Sequence, residues 1–295
     1  MRDQATLSTA LNLERPPNLP QTLAHARMGS GDPCLRIVNG DVWRASRTPL
    51  GPATERVRLA SGGAILVDAW GPGAEWLLQR APELCGALDR PDTFRPDQPL
   101  LKDLILRHPG LRIGRTAAVF ETAMIVTLEQ RVATRDAWRS WWLMVRTLSE
   151  PAPGPLPGLW APPAPERIAR TPYEVFHRFG VERRRADVLR RLAIVARRLE
   201  ETVSLSLDAA YRRFRAVTGV GPWTAARIGL IALGDPDAVA VGDLHLPHVV
   251  SWWLAGERRG SDERMLELLE PFRGHRGRVI RLLLAGAVSR GARAR

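Results

Sequence analysis

The feature that most constrains the fold is a helix–turn–helix pattern around a Gly-Val-Gly-Pro sequence at residues 219–222. Ser206 suits the N-cap of a first helix, and Pro222 suits the first turn of a second helix that ends near Leu233. The two glycines allow the positive φ angles of a tight reversal. The pattern predicts a helical hairpin over residues 207–233, whose turn offers backbone N–H groups to a phosphate. An ordinary helical turn without a ligand is the alternative.

A single carboxylate follows this hairpin. The apolar run at residues 239–241 leads into Gly242 and Asp243, and Asp243 lies twenty positions after Trp223. An aspartate at the start of a helix most often caps the helix N-terminus. Close to a phosphate-binding hairpin it also suits catalysis, and one carboxylate could perform both tasks.

The hairpin and this aspartate together resemble the helix-hairpin-helix DNA glycosylase superfamily. The Gly-Val-Gly-Pro-Trp-Thr-Ala form is most similar to its 3-methyladenine DNA glycosylase II branch. The resemblance implies that Asp243 is the catalytic carboxylate, because breaking an N-glycosidic bond builds positive charge on the sugar. It also implies that the hairpin holds a phosphate beside a base rotated out of the duplex. The hairpin residues expected at the DNA are Thr218, Gly219, Val220, Gly221 and Thr224.

The resemblance also implies a wedge that enters the duplex where the extruded base had been. Residues 128–132 read Leu-Glu-Gln-Arg-Val, which is similar to the Leu-x-Gln-x-Val loop of the family. Gln130 and Arg131 would be the wedge residues. The alternative is that Gln130 ends a helix and Arg131 is a surface charge.

The expected base pocket departs from the aromatic pocket of that branch. Trp223 keeps one ring, but Arg227 and Arg281 stand where the family has aromatic residues. If both guanidinium groups enter the pocket, they repel a cationic alkylpurine and favour a neutral or oxygen-rich base. If they face backbone phosphates, an alkylpurine remains the expected substrate.

The position of lysine bears on the mechanism. Glycosylases that also cut the strand form a Schiff base through an amine nucleophile, and in bifunctional relatives a lysine occupies the position of Trp223. Lys102 is the only lysine in the sequence, and residue 1 is not proline. The sequence therefore predicts a monofunctional hydrolase that leaves an abasic site.

Taken together, the sequence predicts a base-excision-repair DNA glycosylase that acts on a damaged base, with an alkylated purine such as 3-methyladenine as the first candidate. One alternative is a glycosylase for a neutral deaminated or oxidised base. Another is a non-catalytic protein that binds damaged DNA, and a third is a structural hairpin protein that acts through protein contacts.

Charge and composition support a nucleic-acid partner. The formal charge of +12 and the pI near 11.2 favour an anionic partner, and no separate basic amphipathic helix indicates a membrane. We expect a cytoplasmic, nucleoid-associated monomer that binds double-stranded DNA containing a damaged base.

Two cysteines exclude a four-cysteine iron–sulfur cluster, and His245 and His248 near Asp243 are not expected to hold a metal. No cofactor is expected, although the resemblance leaves room for a monovalent cation between the hairpin backbone and a DNA phosphate.

The predicted fold class is α+β, with a small antiparallel sheet followed by an all-α region of two helical lobes. We predict a polar arm over residues 1–30, a sheet-and-helix domain over 31–107, and the helical glycosylase region over 108–295. Asn39-Gly40 between apolar runs indicates a two-residue β-hairpin, and a helix is expected from about Ala74 to Leu88. Three tryptophans of one predicted helix are expected in its core: Trp138, Trp141 and Trp142.

Overall fold

The computed structural model describes residues 7–293, with side chains as far as residue 287. This part of the chain contains one antiparallel sheet, which confirms the predicted α+β class with an N-terminal sheet. The strands have the spatial order β1-β5-β4-β3-β2. The strands are β1 Leu7–Leu11, β2 Leu35–Val38, β3 Asp41–Thr48, β4 Gly51–Leu59 and β5 Ile65–Trp70.

The β2–β3 turn confirms the two-residue hairpin. Asn39 and Gly40 have φ values of 52° and 86°, and Val38 pairs with Asp41. Both central residues of this tight turn need positive φ, which asparagine and glycine tolerate best. The turn therefore fixes the register of the β2–β3 pair.

Strand β1 was not predicted, because residues 1–30 were expected to form a polar arm. Residues 1–6 of that arm lie outside the described residues. Residues 7–11 instead form an edge strand, in which Leu7 pairs with Ala69 and Leu11 with Ile65. The short run Leu-Ser-Thr-Ala-Leu alternates weakly, and its partner is distant in sequence, so local patterning gives little signal.

Fourteen α-helices lie in the described part of the chain, and within it no helix is both long and apolar enough to cross a membrane. The helix after β5 ends at residue 84, earlier than expected, because the chain turns at Gly86 with a φ of +81°. The helices are α1 Leu19–Leu23, α2 Ala74–Leu84, α3 Pro99–Arg107, α4 Val119–Leu128, α5 Thr134–Leu148, α6 Pro165–Arg170, α7 Tyr173–Arg178, α8 Arg183–Ile194, α9 Ala196–Glu200, α10 Leu207–Arg215, α11 Pro222–Ile228, α12 Leu246–Ala255, α13 Asp262–Leu269 and α14 Arg276–Arg293.

Two apolar cores divide the helical part into lobes. One core joins the sheet to α4, α5, α8 and the inner face of the hairpin. The other joins α3, α12, α13 and α14, so α3 packs with a helical lobe although the sequence analysis grouped it with the sheet. Trp223 contacts both cores, which places it at the boundary between the two lobes.

A buried ionic network connects the sheet to α4. Arg44 of β3 pairs with Glu55 of β4 at 2.9 Å and lies 3.9 Å from Glu121 of α4. Burial raises the pKa of Glu55 and of Glu121, and the charge of Arg44 opposes that rise. Removing one partner of such a network leaves an uncompensated buried charge, so the network holds α4 in a fixed place on the sheet.

A half-buried glutamate at the end of α9, bonded to the start of α4, predicts a pH dependence of stability. Glu200 accepts hydrogen bonds from the backbone N–H groups of Val119 and Phe120, at 3.0 and 2.7 Å. Burial raises the pKa of Glu200 from its ordinary value of 4.5 to about 7. The stability that Glu200 contributes is fully present at pH values below the pKa of this group in the unfolded chain. It is lost as the pH rises through about 7.

We therefore expect Glu200→Gln to gain stability relative to the wild type, by about 3 kcal/mol, as the pH rises from 4.5 to 8. Urea unfolding at several pH values measures this difference. Glu201→Gln changes the exposed neighbouring glutamate and is the matched control. Parallel pH profiles for Glu200→Gln and the wild type would contradict the prediction.

Candidate active site

The predicted helical hairpin is confirmed as α10, a glycine turn and α11. The Ser206 hydroxyl accepts a hydrogen bond from the Ala209 N–H at 3.4 Å and caps α10. Gly219 has a φ of +99°, and a Cβ atom there would lie 2.2 Å from Cγ2 of Val188. Conformation and space therefore both require glycine at this position. After α11 the helix continues as a single π-helical turn at Gly229–Leu233.

The second glycine of the turn differs from the expectation. Gly221 has a φ of −87°, so its conformation does not need glycine, and a Cβ atom there would meet nothing within 4 Å. Without a side chain at this position, the backbone lies uncovered on the outer face of the turn. That open face is where a phosphate could approach closely.

The remaining hairpin residues have different surroundings. Thr218 is exposed, whereas Val220 is buried in the first core and Thr224 is 3% exposed. The Val220 side chain therefore anchors the turn instead of facing solvent. The Thr224 hydroxyl accepts a hydrogen bond from the Gln130 amide at 2.8 Å.

Asp243 lies at the start of α12 and is held by three donors. Its Oδ1 atom accepts hydrogen bonds from the backbone N–H groups of His245 and Leu246, each at 2.9 Å. Its Oδ2 atom accepts one from the Trp223 indole, also at 2.9 Å. One carboxyl oxygen thus caps the helix while the other lies beside the hairpin tryptophan.

The electrostatics keep Asp243 ionised. Burial alone raises the pKa of this carboxyl, but the three hydrogen bonds and the positive charge of Arg227 lower it below its ordinary value. Donors that bind the anion favour the charged form of the group. Asp243 therefore presents a fixed negative charge at neutral pH.

One cleft of about 1410 Å³ brings the predicted site residues together. Asp243, Trp223, Arg227, Arg281, Gln130 and Arg131 all line it, as do the predicted hairpin residues other than Thr218. These side chains come from the loop before α12, from the hairpin, from the α4–α5 turn and from α14. The aspartate and the hairpin turn therefore face the same space.

The two arginines at the expected aromatic positions both line the cleft and do not extend freely into solvent. Arg227 forms an ion pair with Glu129 at 3.0 Å. Arg281 is 9% exposed, and its Nη2 atom donates to the carbonyl oxygen of Gln21 at 2.5 Å. Contacts with Glu129 and with the Gln21 carbonyl oxygen therefore hold part of the guanidinium group of each arginine.

The two predicted wedge residues are placed differently. The Gln130 amide donates to the Gly219 carbonyl oxygen at 3.1 Å as well as to Thr224, so it braces the hairpin from the facing helix end. Arg131 is exposed and has a φ of +55°, which is rare for a residue with a side chain. Insertion of either residue into a duplex stays a prediction.

Several cleft residues were not predicted. His25, from the short 3₁₀ turn Ala24–Ala26, and Glu129 line the cleft, and no local signal in the sequence connects them to the hairpin. Trp138 also lines it and is 39% exposed, so its assignment to a helix core was wrong. Trp142 is exposed as well, whereas Trp141 is fully buried as expected.

The site offers no evident place for a metal ion. Within the described residues, no group of three or more histidine, cysteine, aspartate or glutamate side chains could hold one. The Nδ1 atom of His248 instead accepts a hydrogen bond from the Gly260 N–H. At the hairpin, the Thr218 carbonyl oxygen accepts a hydrogen bond from Arg191 at 3.3 Å. A monovalent cation between the hairpin backbone and a DNA phosphate stays a prediction.

The indole donor predicts how Asp243 titrates. Trp223→Phe keeps an aromatic ring but removes the N–H group, so the pKa of Asp243 is expected to rise. Carbon-13 NMR of the labelled carboxyl group measures this pKa directly. Trp138→Phe is the matched control, because Trp138 lines the same cleft and is not among the donors to Asp243. An unchanged pKa in Trp223→Phe would contradict this account of the carboxylate.

The chain is similar to known proteins over part of its sequence. No family model matches the sequence. The chain is 32% identical over 155 residues to a Mycobacterium tuberculosis protein described as a probable bifunctional transcriptional activator/DNA repair enzyme AlkA. That match covers 50% of this chain and 30% of the mycobacterial protein, so the chain spans only part of its relative.

Solved structures share the whole architecture. The 3-methyladenine DNA glycosylase from Archaeoglobus fulgidus superposes with a TM-score of 0.80 at 21% identity, covering 94% of this chain and 97% of that one. An 8-oxoguanine glycosylase/lyase from Clostridium acetobutylicum, solved with double-stranded DNA, has a TM-score of 0.74 at 16% identity and covers 99% and 98%. The predicted resemblance is therefore confirmed: the chain has the fold of the helix-hairpin-helix DNA glycosylases and is similar to proteins described as 3-methyladenine DNA glycosylases.

Proposed function

We propose that this protein is a monofunctional DNA glycosylase that removes a damaged base and leaves an abasic site. The observation that carries the proposal is the ionised Asp243, held by the Trp223 indole in a cleft whose wall includes the hairpin turn. A phosphate held at the hairpin turn would lie in the same cleft as this fixed negative charge, as removal of a base from a DNA strand requires.

The chemistry follows from the bond that breaks. The bond between C1′ and the base nitrogen breaks with its electron pair on the base, while positive charge builds on the sugar ring. Asp243 stabilises that charge, and water supplies the oxygen that bonds to C1′ and the proton that leaves with the base. A carboxylate that is already ionised and oriented needs no reorganisation during this step.

The surroundings of the cleft suit a DNA backbone. Arg27, Arg131 and Arg184 line it, and the whole chain carries a formal charge of +12. Backbone groups of the open hairpin turn would hold one phosphate beside the extruded nucleotide. Extrusion costs a few kcal/mol, and contacts with the flanking phosphates offset this cost.

The monofunctional part of the proposal rests on the absence of an amine from the described cleft walls. Lys102, the only lysine of the chain, lies on α3 beside Asp97 and is not among the residues that line the cleft. At the position where a lyase needs its nucleophile, this chain has Trp223, whose indole instead binds Asp243.

Two classes of damaged base are candidates. Similarity to the Archaeoglobus protein, described as a 3-methyladenine DNA glycosylase, favours an alkylated purine. The guanidinium groups of Arg227 and Arg281 in the cleft favour a neutral deaminated or oxidised base.

The test compares wild type and Asp243→Asn on duplexes that carry single alkylated, deaminated or oxidised bases. Mass spectrometry detects the free base, and electrophoresis shows whether the strand is cut. The wild type is expected to release a base and leave a strand that breaks only after alkali treatment. Asp243→Asn is expected to be slower by about a hundredfold or more.

The amide side chain of the Asp243→Asn variant keeps a carbonyl oxygen for the helix cap, so the variant is expected to fold and to bind DNA. Lesion binding without base release, unchanged by Asp243→Asn, would instead identify a non-catalytic damage-binding protein. Strand cleavage without alkali would contradict the monofunctional mechanism.

A further inference from the structure

One wall of the cleft carries a buried positive charge without a carboxylate partner. The Nη2 atom of Arg281 donates to the carbonyl oxygens of Gln21 and Thr22, at 2.5 and 3.4 Å, whereas its Nε atom is buried without a hydrogen-bond partner. Arg278, three residues earlier on the same helix, pairs with Asp89. Among the described ion pairs Arg278 therefore has an acidic partner and Arg281 has none.

A neutral histidine lies beside this arginine. Burial, together with the charges of Arg281 and Arg227, lowers the pKa of His25 well below its usual value. Both ring nitrogens are buried without a well-formed hydrogen bond, although backbone groups of Thr22 and Gly114 lie near the ring. The wall therefore offers polar groups that the protein itself does not fully satisfy.

Arg227 completes this part of the wall. Glu129, 3.0 Å away, balances the charge of Arg227. Burial is the main cause that lowers the pKa of Arg281 to about 10, and the nearby charge of Arg227 is the second cause. Arg281 thus remains protonated at neutral pH. The Asp243 carboxylate interacts electrostatically with Arg227, but it already accepts three hydrogen bonds. The group formed by His25, Arg227, Glu129 and Arg281 therefore carries a net positive charge.

This wall discriminates between classes of base. A cationic alkylpurine would bring another positive charge next to Arg281 with little water to screen it. An uncharged base with a carbonyl oxygen could accept a hydrogen bond from Arg281, which lines the cleft. A site whose donors lack partners rejects bases that have no acceptor. A neutral base is also a poorer leaving group than a cationic one. A guanidinium donor stabilises the electron pair that the base takes from the glycosidic bond.

We propose that the substrate of this site is an uncharged, carbonyl-bearing base, and that Arg281 is the residue that recognises it. This proposal rests on the glycosylase function proposed above. In the reaction, water bonds to C1′, the C1′–N bond breaks, and the base leaves with its electron pair and one proton. Arg281 donates a hydrogen bond to the base throughout and transfers no proton.

Three lesions in one sequence context separate charge from hydrogen bonding. Hypoxanthine is neutral and has a carbonyl oxygen, 1,N6-ethenoadenine is neutral and has none, and 7-methylguanine is cationic and has one. Cationic bases leave more easily without an enzyme. Each single-turnover rate is therefore divided by the uncatalysed rate for the same duplex, and this ratio is the rate enhancement. The enhancement for hypoxanthine is expected to exceed that of each other lesion by about tenfold or more.

Arg281→Met keeps most of the side-chain length and removes the donor. It is expected to lower the enhancement for hypoxanthine by about ten- to a hundredfold and to leave that for 7-methylguanine equal or higher. Arg184→Met removes an exposed cleft charge and is the matched control, expected to affect all three lesions alike. The thermal midpoint and the affinity for an abasic duplex verify that each variant is folded.

The comparison of lesions uses the wild type alone, so it stands even if Arg281→Met does not fold. A larger enhancement for 7-methylguanine than for hypoxanthine would overturn the proposal and leave the glycosylase function intact. Equal enhancement for 1,N6-ethenoadenine and hypoxanthine would overturn the role of the carbonyl oxygen. Release of no base from any duplex would overturn both this proposal and the glycosylase function.

Discussion

The hydrogen bond between the Trp223 indole and Asp243 is the contact on which the site depends. It joins the hairpin helix α11 to the start of α12, across the boundary between the two apolar cores. Because Trp223 packs against both cores, its N–H group has a fixed position, and the carboxylate that it binds is fixed in turn. The backbone N–H groups of His245 and Leu246, at the start of α12, complete the cap and favour the anion. One residue thereby caps a helix and presents a negative charge.

The fold supports this contact from a distance. The Arg44 network seats α4 on the sheet, and the end of α4 carries Gln130, whose amide holds the hairpin turn through Gly219 and Thr224. The N-terminal sheet therefore contributes to the site through the position of α4, although none of its described strand residues lines the cleft. In the same way, the turn that contains His25 brings an N-terminal residue into the cleft wall to which α14 contributes Arg281.

The sequence predicted the features that are local in the chain. Ser206, Gly219 and Pro222 specify the hairpin through capping, positive φ and a fixed first turn, and all three are found in those positions. The twenty-residue spacing from Trp223 to Asp243 contributed to the resemblance, but it did not predict the hydrogen bond between the two side chains.

Contacts between distant segments could not be predicted in this way. Strand β1, the brace from Gln130 and the place of His25 each depend on a partner far along the chain. Arg227 and Arg281 were recognised as departures from an aromatic pocket, but their partners, Glu129 and two backbone carbonyl groups, follow only from the three-dimensional structure. Trp138 has the helical spacing of a core residue, and only the tertiary packing shows that the cleft opens beside it.

The most direct test of this account is whether Asp243 selects for positive charge at the sugar. Two duplexes provide the comparison, one with a cationic pyrrolidine ring in place of the damaged sugar and one with a neutral tetrahydrofuran ring. The affinity of the wild type for the cationic duplex is predicted to exceed that for the neutral duplex by about tenfold or more, and Asp243→Asn should remove most of that difference. Equal affinity of the wild type for the two duplexes, or a preference that persists in Asp243→Asn, would contradict the central role given to this carboxylate.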